Sequence, residues 1–180
     1  MRSESCLIIQ NKGGGHGEIG YHLALQLVKE KDMVRARARL EGLFFFNIDR
    51  ASTRVRAYCA QSVTILHEGP NKGKPPHNAY GALDAAGVKV LWCDDLSDAA
   101  SCLGKLEGAS FNAVVDNWSK SPEQITPYAE AAQGWGVTSY SYVSSAGMYT
   151  PAKGDEGAVS ESCDVKSSGQ RQAEEKIAAM

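Results

Sequence analysis

Apolar and polar positions follow two rhythms along this chain. The run SCLIIQN at residues 5–11 is nearly continuously apolar and closes on turn residues, which predicts a buried strand. Beyond it, Ile19, Leu23 and Leu27 recur at helical spacing and predict a helix over residues 17–31. The same alternation continues: strands at 62–69, 88–95, 111–117 and 137–147, with helices at 96–106, at 121–136 and from 167 onward. Ser121-Pro122 reads as a helix start with proline at the first helical position, and Pro127 is expected to disturb the first turns. Strands alternating with helices predict a parallel sheet covered on both faces. Right-handed crossovers then give an α/β, doubly wound, Rossmann-like sheet of order 3-2-1-4-5.

Composition narrows this little. The 180 residues are 43% hydrophobic and 22% charged, the profile of an ordinary globular domain, and the pattern reads as one NAD(P)-binding domain over residues 1–180. No apolar run approaches the ~18 residues of a membrane span. No secretory or transit segment is visible, because strand-like sequence begins near residue 5. The five cysteines are scattered and never spaced C-x-x-C, which argues against a disulfide framework or a zinc site and suits a reducing compartment. A net charge of −2 lacks the basic excess usual in nucleic-acid binders.

The chemistry-bearing feature is NKGGGHGEIG. Gly14, Gly17 and Gly20 read G-x-x-G-x-x-G, and Gly15, Gly17 and Gly20 read G-x-G-x-x-G, directly between the first strand and the first helix. Such glycines permit a tight turn, let backbone N–H groups approach a pyrophosphate, and let helix pack on strand. The alternative is a tight turn that binds nothing, with His16 a loop side chain. Glu68, ending the second strand, is placed to grip a ribose or to sit in an exposed turn. Asp95 in DLSD follows the third strand, where Ser97 and Asp98 also read as a helix start. Asp116 ends the fourth strand; with Asp94 or Asp95 it could hold Mg²⁺ at the carboxyl edge. Lys72 and Lys74 form a small basic loop, and Tyr140 and Tyr142 share a strand face, for stacking on bases or for core packing.

With GGGHGEIG, DLSD, VVDN and SSAGMY in this order, the chain resembles extended short-chain dehydrogenases/reductases of the epimerase/dehydratase kind. GGGHGEIGYHLALQLVKE, SVTILHEG, KPPHN, FNAVVDNWSKS and YVSSAGMYTP narrow the resemblance to the chloroplast stem-loop-binding proteins. These atypical members are associated with plastid RNA and ribosomes and described as divalent-cation-assisted endoribonucleases. The resemblance implies the chloroplast stroma, RNA and ribosomes as partners, a homo- or hetero-oligomer with a related subunit, NAD(P) and Mg²⁺. It places nuclease roles on Asp95, Asp116 and Glu130, with Asp116 as metal ligand, although the family often has Asn at the first position and Asp at the third. It also implies a later substrate domain that this chain lacks.

Hydride transfer in that class needs Tyr-x-x-x-Lys on a helix and a serine before it. Ser145 matches the serine. Tyr149 and Lys153 have the spacing but enclose Pro151 and follow the serine too closely. On the last helix the family positions fall at Lys166 and Gln170, which cannot move the proton. The expectation is an RNA stem-loop-binding protein, with a nucleotide-sugar epimerase or reductase, or a non-catalytic nucleotide-binding scaffold, as alternatives.

Residues 32–61 interrupt the pattern. They separate the first helix from the second strand, a connection normally ~2–6 residues long. Six of the chain's eight arginines and none of its eleven lysines lie here. One reading is an arginine-rich arm that orders on RNA. The other is a retained intron over 34–61, with which Val34 and Gln61 are compatible at the codon level. Without 34–61, which carries six basic and two acidic residues, the net charge falls from −2 to −6.

Overall fold

Three consecutive residues of the first strand, Leu7, Ile8 and Ile9, are completely buried, so this strand has no solvent face and must lie inside a covered sheet. The computed structural model describes residues 5–11, 19–29, 62–69, 80–150 and 163–180. Its elements are β1 (Ser5–Gln10), α1 (residues 19–29), β2 (Ser62–Glu68), α2 (Gly81–Ala85), β3 (Lys89–Cys93), α3 (Ala99–Gly104) and β4 (Ala113–Asn117). They continue with α4 (Pro122–Trp135), β5 (Ser139–Tyr142), a 3₁₀ turn (Ala146–Met148), β6 (Tyr149–Thr150), β7 (Asp164–Val165) and α5 (Gly169–Ala178). The five long strands form one parallel sheet of order β3-β2-β1-β4-β5, the predicted Rossmann-like arrangement.

Side chains alternate across the strands, and each face has its own core. Leu7, Ile9, Leu66 and Val114 meet Cys102, Leu106, Tyr128 and Ala132 on the α3–α4 side. Cys6, Ile8, Val63 and Ile65 meet Ala24, Tyr80 and Leu83 on the other. Each fully buried Leu or Ile contributes roughly 1.5–3 kcal/mol. The second face ends in a polar row: Gln10, His67 and Trp92 are cross-strand partners, and Gln10 Nε2 donates to the Tyr80 hydroxyl at 2.7 Å. Gly20 is needed beside this row, because a Cβ there would run into the Gln10 amide. This is the helix-on-strand packing expected of the last glycine of the loop.

Several expectations change. The fifth strand is four residues long, not eleven, because Val143, Ser144 and Ser145 leave the sheet before the 3₁₀ turn. The α2 helix and the antiparallel β6–β7 pair carry no strong apolar period and were not expected. Pro127 leaves α4 continuous over its 14 residues, since it removes one N–H while the first turn is held by Ile125 N–H on the Ser121 carbonyl. Ile19, expected on the buried stripe, is 46% exposed. Cys93 and Cys102, scattered in the sequence, come together because α3 turns back over the end of β3 and brings their Cα atoms to 5.6 Å, within the range of a disulfide pair. Among the described residues no helix is long and apolar enough to cross a membrane.

Candidate functional site

All five parallel strands end at one edge, and the connections leaving β1 and β4 run to opposite sides, which opens a crevice between those strands. A cavity of about 240 Å³ lies there. Asn11 lines it from the end of β1, Asn117 and Lys120 from the β4–α4 turn, Ser144 and Ser145 after β5, and Gln170 from the first turn of α5. The walls are mixed: these polar residues and Lys120 stand beside Trp118 and Val143. The Ser144 hydroxyl is buried and has no hydrogen-bond partner among the described residues. The Ser145 hydroxyl accepts from Gly147 N–H at 3.2 Å.

The β4–α4 turn that carries Lys120 is built on Asp116, which is fully buried. Its Oδ1 accepts the Trp118 and Ser119 N–H groups, each at 2.9 Å. Its Oδ2 accepts the Ser119 hydroxyl at 2.7 Å and the Tyr140 hydroxyl at 2.9 Å. The Tyr142 hydroxyl donates to the Ser119 carbonyl at 2.8 Å, so both β5 tyrosines brace the turn. Burial, then the Asp116 charge and hydrogen bond, hold the Tyr140 phenol far above its ordinary range. Burial, with Asp116 and Glu174 adding, pushes Tyr142 up to about 12. The opposite wall is set by close approach: a Cβ on Gly169 would lie 2.5 Å from the Lys120 carbonyl oxygen, so glycine lets α5 seat against the turn and bring Gln170 to the cavity.

The other expected residues stand apart from this crevice. Glu68 is half-buried at the end of β2. Asp95 is exposed; its Oδ1 accepts Ser97 N–H at 2.8 Å, while Asp98 caps α3 through Ser101 N–H at 3.2 Å, the helix start read in DLSD. Burial raises Tyr128, and the charges of Asp116, Asp95, Glu68 and Asp98 raise it further. Three strand spacings separate the ends of β3 and β4, about 14 Å. Glu130 is exposed and lies ~12 Å down α4 from its first residue. Asp95, Asp116 and Glu130 are therefore not brought together, and the described residues contain no group of three or more His, Cys, Asp or Glu able to hold a metal.

Lys166 is exposed ahead of α5, with its N–H on the Met148 carbonyl at 2.8 Å. Tyr149 lies in β6, paired with Val165. The glycine loop with Gly14, Gly15, His16 and Gly17, the Lys72–Lys74 loop, Lys153 and residues 32–61 lie outside the described residues. Sequence reasoning missed Asn11, Lys120 and Ser144, though the polar run DNWSKS directly after an apolar strand marks one wall. No family model, no curated protein and no solved structure matches this chain.

Proposed function

We propose that this protein is a non-redox nucleotide-recognition domain that binds RNA, with a ribose-phosphate unit of the strand seated in the β1–β4 crevice. The observation that carries this reading is the crevice wall itself. Asn11, Asn117, Ser145 and Gln170 line it with amide and hydroxyl side chains, and Lys120 is the charged residue among them; the resemblance to the short-chain dehydrogenases/reductases puts Gln170 at the position of their lysine, which supports a non-redox use. The choice of RNA over a free nucleotide follows the resemblance to the chloroplast stem-loop-binding proteins, as do a stromal location and association with ribosomes or a related subunit. The proposal is of binding, because the three carboxylates implied for cleavage have no common ligand.

A filter-binding titration of the full chain with a labelled RNA hairpin, competed by AMP and by NAD⁺, tests it. Saturable binding that a mononucleotide weakens is expected. No saturable binding at low salt would remove RNA from the function. Reduction of NAD(P)⁺ with a nucleotide sugar would instead establish the epimerase or reductase alternative.

A further inference from the structure

We propose that Asp116 is a positioning residue and not a metal ligand, so that the crevice takes RNA without a divalent cation. This rests on the RNA-binding reading above. A carboxylate offers about four lone-pair sites, and Asp116 has four donors within 2.9 Å: two backbone N–H groups and the Ser119 and Tyr140 hydroxyls. It has no exposed surface. Mg²⁺ demands near-octahedral oxygens at about 2.0–2.1 Å and keeps several waters, so binding here means displacing at least one donor and admitting solvent. Among the described residues no second carboxylate helps: Asp95 and Glu130 lie on other parts of the edge and helix.

What the carboxylate does is fold the turn. Oδ1 gathers the Trp118 and Ser119 N–H groups, Oδ2 ties that turn to β5 through Tyr140, and Tyr142 closes on the Ser119 carbonyl. The next residue, Lys120, points its carbonyl at Gly169 and so seats α5, whose Gln170 lines the same cavity. One buried anion thus sets two walls of the crevice.

The two roles of Asp116 make opposite predictions for Tyr140→Phe. A metal ligand freed of the Tyr140 donor gains an open lone pair, so Mn²⁺ binding and Mg²⁺ dependence should rise. A positioning residue that loses Tyr140 holds the turn less firmly, so hairpin binding should weaken about ten-fold. The experiment measures Mn²⁺ binding by electron paramagnetic resonance on the RNA-free full chain, and hairpin affinity in EDTA and in Mg²⁺, for wild type, Tyr140→Phe and Asp116→Asn. Expected are wild-type affinities equal within about two-fold in EDTA and Mg²⁺, weaker hairpin binding in both variants, and no Mn²⁺ site that Asp116→Asn removes. A wild-type Mn²⁺ site lost in Asp116→Asn, or Mg²⁺-dependent binding strengthened by Tyr140→Phe, overturns the proposal. If no protein binds the hairpin in either condition, the RNA reading fails, and the Mn²⁺ titration alone decides the metal half. Should Asp116→Asn not fold, Tyr140→Phe decides between the roles.

Discussion

At the scale of single residues, the sharpest constraints are close approaches. Gly20 and Gly81 both open or border helices, yet a Cβ on Gly20 would meet the Gln10 side chain and one on Gly81 meets nothing within 4 Å. Gly20→Ala should therefore displace the Gln10 amide from the Tyr80 hydroxyl and destabilise by about 1 kcal/mol. Gly81→Ala should be neutral or stabilise by about 0.4–1 kcal/mol by restricting the unfolded chain. Urea midpoints of the two variants check this; a neutral Gly20→Ala would mean that α1 does not press on β1 as drawn. Residue-level meaning was only partly readable from sequence. The packing role of Gly20 follows from its place in the glycine motif. The role of Asp116 does not: a strand-end aspartate before Asn117 reads equally as a turn or a ligand, and only the positions of Ser119 and Tyr140 show that its oxygens are engaged.

At the scale of elements, strand order and crossover direction were readable because buried parallel strands leave continuous apolar runs between helical periods. Element ends were not, because they depend on what lies next to them. The β5 strand stops at Tyr142 even though Val143 is apolar, and its two tyrosines turn their hydroxyls to Asp116 and to the Ser119 carbonyl. That arrangement makes the β4–β5 pair sensitive to alkali. Burial chiefly pushes Tyr80 and Tyr142 up to about 12 and Cys6 up to about 11, and holds Tyr128 and Tyr140 higher still. An unfolded chain releases phenol protons near pH ~10. Between there and pH 12 the unfolded state holds fewer protons than the folded one, so stability falls as pH rises. Below about pH 8 both states keep these protons and the groups contribute no slope. Urea midpoints should be flat in this respect up to about pH 8 and then decline, with a shallower decline in Tyr142→Phe. An unchanged slope in that variant would place the Tyr142 hydroxyl in water.

At the scale of the whole molecule, charge decides how the crevice can be used. The net charge of −2 opposes bulk attraction of a polyanion, and Lys120 is the charged residue among the described residues that line the crevice. Recognition through such a wall depends on a few hydrogen bonds and about one or two phosphate contacts. The logarithm of the association constant should then fall with the logarithm of salt concentration at a slope of about −1 to −2. Between 50 and 200 mM salt that is a loss of roughly 4- to 16-fold, far below the ~10³-fold or more of proteins that neutralise many phosphates. The measurement also discriminates between surfaces. A slope near −5 would require several released counterions, more than Lys120 can account for. The six arginines of residues 32–61 are the largest concentration of positive charge in this sequence that could supply them, with the Lys72–Lys74 loop a smaller one. Deleting residues 34–61 separates the cases: a crevice-centred site keeps its shallow slope, whereas a site on the arginine-rich segment loses both its steepness and its affinity.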